Sequence, residues 1–286
     1  MAFRIVADSS SNVLSLAGAN YTTVPMKVIA AKEYVDDAAL DLAQMVAELQ
    51  QHKGKSGSSC PNVSEWQAAF GDEEYVFCLT ITKHLSGSYN AAQQAAEDYM
   101  EEHPGRKVFV LDTLSAGPAM MMIVEKILEC EKAGMSFEET KAAALDYANH
   151  THTLFCLESM MNLARNGRVS MAVAKIASII GIRVVGDVKG GQITPVHKPR
   201  GAKGATGTLF EMIKERGFRD GNTLRIAHCF GEEAAYALRD KVLAEFPNTR
   251  FILEPTRGLC SFYAEAGGLM IGMEGSFNEG NDNRKF

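Results

Sequence analysis

Short apolar runs alternate with longer helical patterns along the first half of the chain. Four runs are brief, rich in β-branched or aromatic residues and bounded by turn-forming residues, and they predict β-strands. They are Phe3–Ala7, Thr22–Ile29, Tyr75–Thr80 and Lys107–Leu111. Five longer stretches repeat apolar residues at helical spacing and predict helices. They are Asp37–Lys53, Val63–Phe70, Gly87–Glu102, Ser115–Ala133 and Ser136–His150. Because strands and helices alternate, we expect a mainly parallel sheet with helices on both faces.

The second half of the chain predicts a mixed sheet with helices. Six strands are expected: Thr153–Leu157, Arg183–Lys189, Gln192–Val196, Thr223–His228, Arg250–Leu253 and Leu269–Met273. The dipeptide Gly190-Gly191 between two of them is typical of a tight hairpin turn. The expected helices are a short one that ends near Gly167, then Ser170–Ile180, Lys203–Arg216 and Gly231–Phe246. The fold class is therefore α/β.

We place a domain boundary near residue 151. Residues 1–151 are expected to form an N-terminal α/β domain that carries the binding loops, and residues 152–286 a C-terminal α/β domain. No Pro/Gly-rich linker marks the boundary, so the two domains are expected to pack closely. The polar tail Ser276–Phe286 is expected to be frayed.

Composition and charge narrow the classes of function. With 46% hydrophobic residues in 286, the chain can bury a large core, and its net charge of −6 gives no overall attraction to nucleic acid or to an anionic membrane. The first apolar run is too short for a signal peptide, and the longest weakly polar stretch, Ser115–Val124, is about half of a membrane span. We therefore expect a cytoplasmic protein with no nucleic-acid partner and no stable membrane insertion. The six cysteines form no Cys-x-x-Cys pair and no zinc-site spacing, so no metal is expected.

Polar loops follow two strands, at the edge where α/β sheets bind their ligands. Asp8 follows the first strand, and it either caps the next turn or orients hydroxyl groups near a site. Ser86-Gly87 stands at the start of a helix, where a hydroxyl and unpaired N–H groups can hold an anion. A plain helix cap explains Ser86 equally well. The loop Gly54–Val63 is rich in glycine and hydroxyls, and taken alone it is a surface loop.

Five segments occur in an order and at a spacing that resemble one known family. They are Asp8-Ser9-Ser10-Ser11, Ser58-Ser59-Cys60-Pro61, Leu85-Ser86-Gly87-Ser88-Tyr89-Asn90-Ala91-Ala92, Leu111-Asp112-Thr113-Leu114-Ser115-Ala116-Gly117 and Asn166-Gly167-Arg168-Val169-Ser170. The chain resembles the DegV family, fatty-acid-binding partners of a bacterial fatty acid kinase, from Asp8 to about Gly272. The resemblance implies a lipid-binding protein that holds a long-chain fatty acid in a buried apolar slot and presents it to a kinase subunit. It implies no catalytic residue and no cofactor, the fatty acid being the ligand.

The resemblance also implies which residues hold the fatty-acid carboxylate. Ser58 stands where the family has a threonine whose hydroxyl binds the carboxylate. Ser86 and the N–H of Gly87 complete the carboxylate site. Arg168 is the expected polar partner near the head group, where it offsets the buried negative charge.

Ser59 and Asp8 are expected to support the carboxylate-binding residues without contacting the carboxylate themselves. The chain departs from the family near its C-terminus. Many members carry a histidine there, whereas the nearest counterpart here, Tyr263–Gly268, has none. Glu265 is the candidate replacement for that histidine.

One enzyme class stays open at the level of sequence. Ser86 is the candidate nucleophile of an acyl-ester serine hydrolase or of an acyltransferase. Against this alternative, the chain has no Gly-x-Ser-x-Gly elbow. His84 lies only two residues from Ser86, and such neighbours on one loop rarely point at each other.

Overall fold

The computed structural model describes residues 2–177 and 179–277. In the first half the elements are β1 (Arg4–Asp8), β2 (Tyr21–Val24), β3 (Lys27–Ile29), β4 (Glu33–Val35), α1 (Leu42–Gln51), β5 (Gly57–Ser59), α2 (Val63–Phe70), β6 (Tyr75–Thr80), α3 (Ser88–Glu102), β7 (Lys107–Asp112), α4 (Pro118–Lys132) and α5 (Phe137–Asn149). In the second half they are β8 (Thr151–Leu157), α6 (Met161–Arg165), α7 (Met171–Ala177), β9 (Val184–Lys189), β10 (Gln192–His197), α8 (Gly201–Glu215), β11 (Thr223–His228), α9 (Glu232–Glu245), β12 (Arg250–Pro255), α10 (Gly258–Ala264) and β13 (Leu269–Glu274).

The first sheet is parallel, with strand order β2-β1-β6-β7. Helices cover both of its faces, because alternate residues of a strand point to opposite sides. Ile5 and Ala7 of β1 belong to a buried cluster with residues of α4 and α5. Val6 belongs to another cluster, with residues of α2 and α3. Parallel strands that are buried on both sides need continuous apolar runs, which is why these strands stood out in the sequence.

The second sheet has six strands in the order β10-β9-β8-β13-β11-β12. Only β11 and β12 pair in parallel, and the other neighbours are antiparallel. The turn between β9 and β10 has positive φ at both Gly190 and Gly191, as a type I′ hairpin requires. The predicted hairpin and the predicted α/β fold class, with a parallel sheet followed by a mixed one, are confirmed.

The two halves of the chain pack tightly against each other along α4. A Cβ at Gly272 of β13 would lie 2.5 Å from the backbone nitrogen of Ala119, so only glycine lets the helix approach this strand. Arg225 of β11 and Glu125 of α4 form an ion pair across the same contact, with Nη1 and Oε1 2.6 Å apart. All strands of the six-stranded sheet come from Thr151 onward. The division into domains 1–151 and 152–286 stays a prediction.

Two element predictions were wrong, and strand β4 and one helix were missed. The expected strand Thr22–Ile29 is split, because Pro25 offers no N–H to a sheet, and β3 pairs with β4 and β5 in a separate three-stranded sheet. The expected loop Gly54–Val63 contains β5. Helix α10 was not predicted at all. Most of the predicted frayed tail lies outside the described residues, and no described helix is both long and apolar enough to cross a membrane.

Candidate functional site

A cavity of about 300 Å³ lies between the two halves of the chain. Its floor is the six-stranded sheet, where Phe155 and Leu157 lie on the same face of β8. Phe155 stands opposite Gly186 and Met270 on the neighbouring strands. A Cβ at Gly186 would come within 2.6 Å of the Phe155 ring, so this glycine makes room for the ring. Further apolar lining comes from Met26, Ile81, Ala116, Ile193, Leu259 and Ala264.

The structure brings five of the six predicted site residues together at this cavity. Ser58, Ser59, Ser86, Gly87 and Arg168 all line it. Gly87 is exposed and the other four are half-buried, so the polar end of the cavity lies near the surface. The sixth residue, Asp8, does not line the cavity. The binding role assigned to each of the six stays a prediction.

Ser58 reaches the cavity because β5 pairs with β3, with Ser58 opposite Val28. Its Oγ lies 2.7 Å from the hydroxyl oxygen of Tyr263 on α10, and Tyr263 also lines the cavity. Sequence reasoning missed Tyr263. The available signal was its position in the segment that lacks the family histidine, together with the tendency of a half-buried tyrosine to place its hydroxyl against a partner.

Helix α10, which carries Tyr263, is held by a buried carboxylate from elsewhere in the chain. Asp36, which follows β4, accepts the N–H groups of Gly258 and Leu259 at 2.9 and 3.0 Å. These N–H groups belong to the first turn of α10 and have no partner within the helix. Burial raises the pKa of Asp36, and these hydrogen bonds oppose that rise. The sequence around the start of α10 gives no capping signal. The first turn of this helix is capped instead by Asp36, a residue far away in the chain.

Ser86 and Gly87 stand at the start of α3, as the sequence indicated. Ser86 Oγ accepts the N–H of Ser88 at 3.2 Å and lines the cavity, but Ser86 is not the N-cap residue that the plain capping interpretation required. Gly87 is the cap residue of α3, and no side chain caps the helix there. A Cβ at Gly87 would lie 3.4 Å from Cys60 Sγ. The positive end of a 15-residue helix therefore faces the polar end of the cavity.

Asp8 lies close to the start of α3 and is fully buried. One carboxylate oxygen accepts the N–H of Ile81 at 2.9 Å and the hydroxyl of Ser88 at 2.7 Å, and the other accepts from Ser10. Burial raises the pKa of Asp8, while the bonds from Ser10, Ser88 and Ile81 act in the opposite direction. Asp8 thus ties the end of β1 to the loop after β6 and to the first residue of α3. Both sequence interpretations of Asp8, a turn cap and an orienting group, fit this geometry.

Arg168 is the one charged residue among the described residues that line the cavity. Its Nε donates to the carbonyl of Leu85 at 3.1 Å, and Nη1 donates to the carbonyl of Asn166. The guanidinium also lies 5.9 Å from the centre of the Tyr263 ring. A guanidinium has five N–H donors, so these two carbonyls leave three of them for another partner.

Glu265 does not line this cavity. Its Oε1 accepts the N–H of Asn162 at 3.1 Å, near the start of α6, and the residue lines a separate surface groove with His52 and Lys53. The structure therefore does not place Glu265 with the predicted head-group residues.

No histidine lies among the described residues that line the cavity. His84 is exposed, and its ring lies against the hairpin turn, 2.9 Å from where a Cβ of Gly191 would stand. The hydrogen bond that Ser86 Oγ makes is to a backbone N–H and not to a base. The arrangement of a nucleophile, a base and an orienting group is therefore not seen at Ser86.

Comparison with known proteins identifies the family. The family model described as “Uncharacterised protein, DegV family” matches residues 2–274 of this chain. The chain belongs to the DegV family. A DegV domain-containing protein of Streptococcus pneumoniae is 35% identical over 280 residues, which cover 96% of this chain and 99% of that protein.

Two solved DegV structures have the same fold. A DegV family protein from Eubacterium eligens, loaded with heptadecanoic acid, is 37% identical, with a TM-score of 0.93 and coverage of 96% of this chain and 100% of that one. The fatty acid kinase B3 protein of Streptococcus pneumoniae, loaded with linoleic acid, is 35% identical, with a TM-score of 0.93 and coverage of 96% and 99%.

Proposed function

We propose that this DegV chain binds a long-chain fatty acid in the cavity between its two halves. The carboxylate is held by Ser58, Ser86 and the N–H of Gly87, with Arg168 beside it. Ser59 and Asp8 support these groups. The chain acts as a non-catalytic carrier without a cofactor and presents the fatty acid to a fatty acid kinase.

The observation that carries this proposal is the distribution of charge around the cavity. Its walls are mainly apolar, and the single charged lining residue within the described part of the chain is a cation, Arg168. An acyl chain gains about 0.8 kcal/mol for each methylene that it buries. A buried carboxylate is costly unless it is paired and hydrogen-bonded, and Arg168, two serine hydroxyls and the start of α3 supply such partners.

The kinase partnership rests on the similarity to the fatty acid kinase B3 protein. It is tested by mixing the loaded chain with a purified fatty acid kinase and ATP and following the consumption of ATP. Consumption that requires both this chain and the fatty acid supports the partnership. Absence of turnover with a kinase that is active on its own carrier contradicts it.

The alternative is an acyl-ester serine hydrolase or an acyltransferase with Ser86 as nucleophile. One experiment separates the two proposals. The purified protein is extracted with organic solvent, and the extract is identified by mass spectrometry. A near-stoichiometric long-chain fatty acid supports the carrier. Empty protein that hydrolyses acyl esters, and stops when Ser86 is replaced by Ala, would establish the enzyme instead.

Replacing Ser86 with Ala is expected to raise the dissociation constant for a long-chain fatty acid about tenfold. A hydrogen bond to a charged group contributes about 1.5 kcal/mol or more, and 1.4 kcal/mol corresponds to a factor of ten. Isothermal titration calorimetry on delipidated protein measures the change. The control is Ser64→Ala, since Ser64 is an exposed serine outside the cavity whose hydroxyl is bonded only to Asn62. Equal affinities of the Ser86 variant and the wild type would place the carboxylate elsewhere.

A further inference from the structure

The side-chain hydroxyl of Ser58 has one hydrogen-bond partner among the described residues, and that partner is another hydroxyl. Ser58 Oγ and the hydroxyl oxygen of Tyr263 lie 2.7 Å apart, and both residues line the cavity. Each hydroxyl carries a single hydrogen and can also accept a hydrogen bond. The contact between them uses one of the two hydrogens, so the pair keeps one hydrogen to donate to a ligand.

The chemistry of the two groups decides which hydrogen stays available. A phenol is a stronger acid than an aliphatic alcohol, and it is therefore the better donor. When Tyr263 donates to Ser58, the hydrogen of Ser58 is free to point at a ligand. Hydrogen bonds that run in one direction along a chain polarise one another, so the last donor of the chain is strengthened. The acceptor that gains most from such a donor is a charged one, such as a carboxylate.

The ring of Tyr263 is held by two contacts. It packs edge-to-face against the buried ring of Phe262, with the ring centres 4.7 Å apart. The guanidinium of Arg168 lies 5.9 Å from the centre of the Tyr263 ring. Arg168 also donates to the carbonyl of Leu85, the residue before Ser86. The pair of hydroxyls is thus connected to the other residues of the predicted carboxylate site.

We propose that Tyr263 is a positioning residue of the carboxylate site. It donates to Ser58 and thereby directs the Ser58 hydrogen at the carboxylate, so that the site prefers the ionised form of a fatty acid to its neutral form. This inference rests on the proposed function and adds to it a residue that acts through Ser58.

The test replaces Tyr263 with Phe, which keeps the ring and removes only the hydroxyl. The dissociation constant for palmitic acid, measured by titration calorimetry of delipidated protein, is expected to rise about fivefold. The pKa of bound palmitic acid, labelled with carbon-13 at its carboxyl carbon, is followed by NMR. A fivefold loss that is confined to the ionised form raises this pKa by about 0.7, because hydrogen bonds to a carboxylate lower its pKa. A loss of packing would weaken both forms alike and leave the pKa unchanged.

Two further variants make the test specific. Ser58→Ala is expected to raise the dissociation constant and the pKa at least as much, and adding Tyr263→Phe to it should change neither, because the last donor of the chain is already absent. Tyr147→Phe is the matched control. Tyr147 is also half-buried, and its hydroxyl donates at 2.7 Å to Glu274, outside the cavity. This control should leave both quantities unchanged.

Three results overturn the inference. They are an unchanged pKa of palmitic acid bound to the Tyr263→Phe variant, an equal effect of Tyr263→Phe with and without the Ser58 hydroxyl, and an equal effect of the Tyr147→Phe control. Failure of the wild type to bind palmitic acid overturns the proposed function instead.

Discussion

Replacing Arg168 with Met is expected to weaken the binding of a long-chain fatty acid about a hundredfold. Met keeps the apolar stem of the side chain and removes the only charge that the described lining offers to a carboxylate. Hydrogen bonds to charged groups contribute about 1.5–3 kcal/mol, and the upper value corresponds to a factor of somewhat more than a hundred. Titration calorimetry of delipidated protein measures the loss.

Arg165→Met is the matched control for this variant. Arg165 lies three residues earlier, at the end of α6, where it is exposed and lies outside the cavity. Its loss should leave the affinity unchanged. Equal losses for both variants would mean that Arg168 acts only through the overall charge of this face. Full affinity of the Arg168→Met variant would mean that the carboxylate does not lie beside Ser58, Ser86 and Arg168.

Replacing Arg225 with Met is expected to lower the free energy of unfolding by about 3 kcal/mol. Arg225 is 5% exposed and holds two carboxylates. One is Glu125 at 2.6 Å, and the other is Glu254, which it binds with two nitrogens at 2.8 and 3.2 Å. Removing one member of a buried ion pair costs about 3–5 kcal/mol, because the remaining charges are left unpaired. Urea unfolding followed by circular dichroism measures the difference.

The control for Arg225 is Arg239→Met. Arg239 lies on the outer side of α9 and pairs with its neighbour Asp240, at a side-chain exposure of 33%. A surface pair of this kind contributes little, so a change below about 1 kcal/mol is expected. If Arg225→Met were as stable as this control, the ion pair of Arg225 with Glu125 across the α4 contact would not hold the two halves together.

Most of the fold could be predicted because its strands are short apolar runs between helices. Tyr75–Thr80 and Thr223–His228 were predicted to the residue, since both are buried on two sides. The small sheet could not be predicted in this way. β5 consists of Gly57, Ser58 and Ser59, which carry no apolar alternation, and only its pairing with β3 makes it a strand. Helix α10 was missed because its cap, Asp36, is more than two hundred residues away in sequence.

The candidate site was predictable only in part, and for a related reason. Ser86-Gly87 can be recognised from the local sequence alone, as a hydroxyl and a glycine at the start of a helix. Ser58 and Arg168 have no such local signal, and their assignment needed the order of segments along the whole chain. Neither the local sequence nor the order of segments pointed to Tyr263, because its contact with Ser58 joins two segments 205 residues apart.

Residues from both halves of the chain line the cavity, so a ligand bound there is expected to affect how long the protein persists in a cell. A bound acyl chain would fill part of the core that the two halves share, so it stabilises only the folded form. At a ligand concentration a hundred times the dissociation constant, such linkage adds about 2.7 kcal/mol. The supply of free lipid would then set the abundance of the protein itself, because empty molecules unfold more often and are degraded first.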